Sequence, residues 1–507
     1  MLAPDYLDHA PDRLILLWQQ AEDDILRDVA RRIGKMDALT PTANWQLWRY
    51  QQTEAVRKDV VKLLARYTGK SEAEIRRLMQ EAATAALEAE DEIYYHYGKE
   101  PTPFEESTPL QNLLNAGYRQ TAGSFSNLTA TTANTVSGAF EQALDRAWLQ
   151  VSSGAFDYKT AVKRAVDGLA DTMPYVTYPS GHRDTLEVAC RRAMLTGVNQ
   201  TGAKLQEARM DEMGASFVEV TAHGGARPSH AVWQGRRYHR GGAVDYLGQH
   251  YEDFESATGY GTGAGLCGWN CRHTFFVVFP ELGSPPAWTQ ESLEALNARD
   301  IEYDGRLYTR YEISQMQRAR ERAVRKWKRR YLAEDAAGAD TTASAVRLRQ
   351  ARQSLADFTR ATGGRVDSAR TSVHGFGRSE GSKASYAARK QERFNAANTE
   401  LQQMREAGTI KAKGRLIESP SAPNEINFAS DHVLQRWAER GMGPMDAERI
   451  ILSSKVAMSQ RNGTQTCYYS ELGFVAIGQD GNVSSIGPLD EGGKKLMEVV
   501  KKHGIPH

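Results

Sequence analysis

The 507-residue chain has only four cysteines and 17 prolines, and no apolar run near the roughly 20 residues that span a bilayer. Four cysteines cannot staple a chain this long, so a disulfide-built secreted fold is excluded and a reducing compartment is expected. The apolar patch from Leu14 to Trp18 has no basic segment before it and meets Glu22, Asp23 and Asp24 directly after, so it does not read as a signal peptide. An excess of either charge is also lacking: 64 Lys+Arg stand against 63 Asp+Glu, a net charge of +1. That balance excludes a uniformly basic nucleic-acid binder and an acidic disordered chain.

What is present is partitioned. Residues 1–220 carry 31 acidic and 24 basic side chains, residues 306–415 carry 11 and 25, and residues 425–507 carry 10 and 9. Apolar residues recur at helical spacing through Leu14, Trp18, Ile25 and Val29, and again through Val56, Val60, Leu64 and Tyr67. Ser71 with Glu74 reads as a capping box, and the Ser/Thr/Asn-rich residues 124–137 read as a packed polar turn or a subunit contact. At 216–221 the period changes to strand-like alternation, and a second strand is expected at 274–279. Residues 312–333 form a long helix, and 419–424 a linker.

Near the end, helices are expected at 431–440 and from Pro444 through Val456. Three strands follow at 465–470, 473–478 and 482–487, then a helix from Asp490 to His503. The fold class is therefore multidomain and mainly α with α+β units. A helical region spans 1–215 and a small Gly/His/Cys-rich α+β domain 216–286. A basic helical arm and linker span 287–424, and an α-α-β-β-β-α domain 425–507. More than one core is needed, at about 100–200 residues per domain.

Residues 223–273 hold five of the twelve histidines and two of the four cysteines. Thiolate and imidazole are the usual zinc ligands, and a structural site wants four. Cys267, Cys271 and His273 are close in sequence, and His223 or His230 can complete the set. The alternative is a glycine-rich domain with hydrogen-bonded histidines and small, buried cysteines. No acid stands in an HExxH-like relation to these residues, so zinc here would be structural. Glycines alternate from Gly259 to Gly268, but the segment leads into a strand, not the helix N-terminus that a phosphate-cradling loop requires.

In the basic helix, Arg318, Arg322, Arg325, Lys326, Arg329 and Arg330 are candidates for contact with DNA phosphate, with Val324, Trp327 and Tyr331 as the packed stripe. The alternative is a solvated helix face. In the last domain, His432, Arg436 and Arg440 fall at i, i+4 and i+8 on one helix face. A histidine near a helix start beside two guanidiniums suits metal-independent RNA cleavage, in which it acts as general base while the cations stabilise the phosphorane-like transition state. Surface salt bridges, such as Arg440 with Asp446, are the other reading.

Two blocks, HGGARPSHAVWQG (223–235) and TGYGTGAGLCGWNCRH (258–273), resemble the phage minor capsid protein 2 family, related to the Mu F type of head-morphogenesis proteins. Weaker similarity covers the helical N-terminal part and GFGRS at 375–379, for a span of roughly 1–400. The resemblance implies a virion component inside the head or at the portal. Its implied partners are portal and capsid proteins, with packaged DNA meeting the basic arm, and it implies no enzyme chemistry for this part. Residues 425–507 resemble small toxin-like RNases of the barnase, EndoU, colicin and RelE-like group. That resemblance implies a cofactor-free RNase acting on host RNA. His432, Arg436 and Arg440 carry over from the helix, Tyr469 and Ser485 are candidates from the strands, and His503 is a candidate general acid. The other readings of this domain are an injected effector nuclease as the main role, or a non-catalytic RNA- or protein-binding module.

Overall fold

The computed structural model describes residues 2–35, 42–173, 175–177, 181–420, 426–428, 434–435 and 439–506. It is mostly helical with several small sheets, and it divides into two compact units, Met1–Glu380 and Gly381–His507.

The first unit opens with helices α1 (Pro4–His9), α2 (Asp12–Gly34), α3 (Thr42–His96), α4 (Thr108–Ser152) and α5 (Tyr158–Thr172). A hairpin of β1 (Tyr175–Thr177) and β2 (Arg183–Thr185) leads into α6 (Leu186–Met213). Apolar residues at three- and four-residue spacing build the shared core: Leu14, Trp18, Ile25 and Val29 of α2 meet Val56, Leu64 and Ile75 of α3 and Phe125, Phe140 and Leu144 of α4.

Two local expectations are corrected here. Residues 124–137 are not a turn but the middle of α4, because the hydroxyls do not break the helix: Thr129 donates to Phe125 O, Thr131 to Asn127 O, Thr132 to Leu128 O and Ser137 to Ala133 O. Each satisfies itself one turn back while Phe125, Leu128, Thr132 and Val136 supply the buried face. Ser71 likewise caps nothing. It lies inside α3, donates to Tyr67 O at 2.8 Å and is fully buried. The α4–α6 crossing is close because glycine faces threonine twice. A Cβ on Gly117 would fall 2.1 Å from Thr201 Oγ1, and one on Gly197 2.2 Å from Thr121 Oγ1.

A five-stranded sheet follows, built from β3 (Phe217–Val220), β4 (Arg237–His239), β5 (Val244–Tyr246), β6 (Gln249–Asp253) and β7 (Phe275–Val277), in the order β5-β6-β4-β3-β7. Short helices α7 (Pro228–Ala231) and α8 (Phe254–Thr258) sit in its connections. Val218, Val220, Tyr238, Phe275 and Val277 turn inward against Tyr94 of α3 and Met210 of α6. Beyond it lie α9 (Gln290–Leu296) and the hairpin β8 (Arg299–Tyr303) with β9 (Arg306–Thr309), then α10 (Arg310–Ala336), α11 (Thr342–Thr362) and α12 (Ser368–Thr371). Thr309 and Glu312 form a reciprocal capping box that starts α10.

A polar seam joins α3, α6 and β7. The carboxylate of Glu90 is fully buried and accepts from Gln206 Nε2 at 3.2 Å and from the Val277 backbone N–H at 3.1 Å. Burial pushes this carboxyl up from 4.5 to about 7. A raised acid favours its neutral form in the folded state, so its stabilising effect is full below pH 4.5 and is lost as pH rises through 7. Glu90→Gln is therefore expected to match the wild type near pH 4.5. At pH 8 it should exceed it by about 3 kcal/mol, read from urea midpoints at the two pH values. A constant difference between them would refute this.

In the second unit, α13 (Arg378–Glu406) leads to β10 (Arg415–Glu418). Then come α14 (Pro444–Ser453), β11 (Val456–Gln460), β12 (Gln465–Ser470), β13 (Gly473–Gly478), β14 (Val483–Gly487) and α15 (Glu491–Lys502). The sheet is an antiparallel meander in the order β10-β11-β12-β13-β14. One face buries Val456, Met458 and Cys467 against Leu401 of α13 and Leu496 and Val500 of α15. The other buries Ala457, Tyr468 and Val475 against Ile450 and Ile451 of α14. The helix expected through Val456 stops at Ser453, since Val456, Ala457 and Met458 feed these two cores alternately, as only a strand can. The compact unit includes α13 from Gly381 onward and β10, which precede residue 425. Most of the expected 419–424 linker and 431–440 helix lies outside the described residues.

Candidate metal centre

β3 delivers the chain into a loop with His223, α7 carries His230, and the glycine-rich loop after α8 returns Cys271 and His273 just before β7. That loop folds tightly on itself. A Cβ on Gly265 would fall 2.0 Å from Gly259 O, and one on Gly268 2.5 Å from Gly263 O, so these positions are held to glycine by close approach. Left-handed conformations fall on Gly259 and Gly261 and, without the freedom of glycine, on Cys267 (φ 58°) and Asn270 (φ 54°). Asparagine tolerates it and cysteine seldom adopts it, so the turn presenting Cys271 is a strained one of the kind found at functional sites.

Cys271 Sγ lies 3.7 Å from His230 Nδ1 and 3.6 Å from His273 Nδ1, and all three residues are buried. The tautomers follow from the outer contacts. His230 Nε2 is 2.9 Å from Ala264 O, which can only accept. His273 Nε2 is 3.0 Å from Gln234 Oε1, an atom whose acceptor role is fixed by the His223 backbone N–H at 3.1 Å. Both Nε2 atoms are therefore the N–H donors, and both Nδ1 lone pairs face the same sulfur. One thiol has one proton for two acceptors, so a buried lone pair is left over.

A divalent ion resolves this conflict. Zinc bonds of about 2.3 Å to sulfur and 2.0–2.1 Å to nitrogen at a tetrahedral angle imply an S···N separation of about 3.6 Å. The carbonyl and amide behind each Nε2 are the outer partners that orient metal-bound imidazoles. Burial holds the imidazoles neutral: His230 is shifted down, His273 well down, and His223 to about 4. The triad can thus hold a metal such as zinc.

Of the five expected ligands, the structure brings three together. Cys267 is buried but turns its Sγ toward His273 O at 3.6 Å. His223 packs its ring on His273, centroids 4.4 Å apart, and holds Nδ1 at 3.1 Å from Gly224 O. Sequence reasoning missed Gln234. It stands inside the 223–235 block, yet its role depends on a hydrogen bond across the fold.

The basic helix is placed differently from a free arm. Arg325 pairs with Glu187, Lys326 with Asp171, and Arg330 with Asp167. Arg329 is buried and bridges Glu22 and Asp23. Val324 and Tyr331 are buried as expected of a packed stripe. Among the described residues Arg318 and Arg322 make no ion pair, and both line a cavity of about 510 Å³ beside the triad.

In the second unit, His432 and Arg436 lie outside the described residues. Arg440 is exposed and donates to Ile486 O at 2.5 Å. Tyr469 is buried, stacked on Phe474, with its phenol beside Cys467, and burial pushes it up. Ser485 is half-buried opposite Ala476, and His503 Nε2 sits 2.8 Å from Glu400.

Among the described residues no helix is long and apolar enough to cross a membrane. No curated protein and no solved structure matches the chain. Residues 2–360 match the family model described as phage minor capsid protein 2, a span that takes in the helical body, the triad and the basic helix. On that match over more than half of its length, the chain belongs to the phage minor capsid protein 2 family.

Proposed function

We propose that the chain is a minor head protein of the phage particle, seated at the portal and acting in head assembly or in DNA packaging and ejection. The family match over 2–360 carries this reading, because it covers nearly all of one folded unit. Within it, a zinc held by His230, Cys271 and His273, one protein ligand short of a closed four-ligand site, ties α7 to the strand-proximal end of the glycine-rich loop. Contact with packaged DNA falls on Arg318 and Arg322, because the other four candidates in the helix already have carboxylate partners. Mass spectrometry of purified, gradient-banded particles is expected to find the chain at low copy, crosslinked to the portal protein. Its absence from such particles would overturn the proposal.

The second unit, in this reading, is an RNase-type effector delivered to the host cytoplasm with the genome. Support comes from its order of elements, a helix ahead of an antiparallel meander, and from the Arg440 guanidinium held at the end of β14. The full chain is expected to cleave RNA without added metal, and Arg440→Ala or His432→Ala to abolish cleavage. A folded wild-type chain without cleavage leaves this unit as a non-catalytic RNA- or protein-binding module.

A further inference from the structure

The cavity that His230, Cys271 and His273 help to line carries more guanidinium than carboxylate charge. Asp8 is its central carboxylate, and Arg191, Arg272 and Arg370 stand 3.8, 3.5 and 3.8 Å from it. Arg318 faces the same carboxylate and makes no hydrogen bond or ion pair among the described residues, and Arg322 on the next turn of α10 likewise has none. Of the other two lining carboxylates, Glu187 pairs with Arg325, whereas Glu321 accepts only from the neutral Gln317 and keeps its charge in the cavity. Arg191 and Arg370 have closer carboxylates of their own, Asp12 at 3.0 Å and Asp367 at 3.1 Å, so among the described residues Arg227, Arg272, Arg318 and Arg322 share the cavity with only Asp8 and Glu321.

We propose that this cavity binds a phosphate group. Guanidinium forks match phosphate oxygens in bidentate pairs, and a dianion supplies the charge that Asp8 and Glu321 do not. The volume of about 510 Å³ falls in the range of small-ligand sites and admits a mononucleotide, an oligophosphate or the terminal phosphate of a strand. Recognition comes from these side chains and not from the glycine-rich backbone, which lacks a helix start. Burial among like charges holds Arg318 below its ordinary value, the electrostatic mark of a cation waiting for an anion. The triad lines the same cavity and Arg272 stands between Cys271 and His273, but the phosphate contacts come from guanidiniums and not from the metal ligands.

The phosphate group can come from a free small ligand or from the 5′ end of a nucleic-acid strand, and titration separates the two. Isothermal titration of the full chain at constant ionic strength would use inorganic phosphate, pyrophosphate and a single-stranded hexanucleotide with or without a 5′ phosphate. Saturable binding of phosphate or pyrophosphate is expected, weakened roughly tenfold or more by Arg318→Gln. Arg318→Gln should also leave the ligand-free melting temperature unchanged or raised, because it relieves repulsion and removes no partner. Competition by the hexanucleotide only when it is phosphorylated assigns the strand end as the source, and no competition assigns a small ligand. No saturable phosphate or pyrophosphate binding at millimolar concentration, or equal binding by folded Arg318→Gln, overturns the proposal.

Discussion

Arg329→Met is expected to destabilise the first unit by about 3–5 kcal/mol, the cost of leaving buried carboxylates without their cation. Arg329 reaches from α10 to α2, with Nη1 and Nη2 at 3.0 and 2.5 Å from the two oxygens of Glu22 and Nε at 2.7 Å from Asp23. Asp23 also accepts from the His374 backbone N–H at 2.8 Å, so one cluster fastens α2, α10 and the segment after α12. The pair is deeply desolvated: burial pushes Glu22 up even with the guanidinium beside it. Removing the cation alone strands two acids, whereas replacing all three by Glu22→Gln, Asp23→Asn and Arg329→Met should restore most of the loss, since neutral groups carry no such penalty. Arg329→Lys should recover only part, because a point charge cannot bridge both acids as a planar fork does. In Arg329→Met Glu22 loses the cation that opposes its upward shift, so the deficit should shrink as pH falls and Glu22 takes up a proton. Urea midpoints followed by circular dichroism at pH 7 and pH 4 check each statement. A deficit near zero for Arg329→Met would mean that the helix is held by its apolar stripe alone.

Metal removal is the second large effect expected. The sulfur and two imidazole lone pairs converge without enough protons to satisfy one another, so a chelator should loosen 259–273 and lower the melting temperature of the first unit by several degrees, restored by adding zinc. Cys271→Ser should lose the metal and its stabilisation together. Cys267→Ser should keep the metal, because that sulfur points at His273 O and not into the triad. Equal metal loss in the two variants would return Cys267 to the ligand set.

Much of this was legible in the sequence wherever one element could be read alone. The three strands at 465–470, 473–478 and 482–487 stand within a residue of those found, because period-two alternation and a Gly481 turn are local signals. The buried Val324 and Tyr331 follow from helical spacing in the same way. Legibility failed where local chemistry has two outcomes. Ser and Thr can break a helix or bond back within it, and at 124–137 tertiary burial of Phe125 and Val136 decides for the helix. It failed again for the basic helix, where spacing shows a charged face but not the acidic residues of α2, α5 and α6 that meet it. The ligand set was readable as a neighbourhood; its selection of His230, Cys271 and His273 depends on Gln234 and Ala264, which only the folded chain places.

The most direct test of the account is zinc-edge X-ray absorption on the purified full-length chain. The account predicts about one zinc per chain with one sulfur near 2.3 Å and two imidazole nitrogens near 2.0–2.1 Å. A chain that purifies without zinc and melts unchanged after zinc is added, or a spectrum without a sulfur ligand, would contradict it.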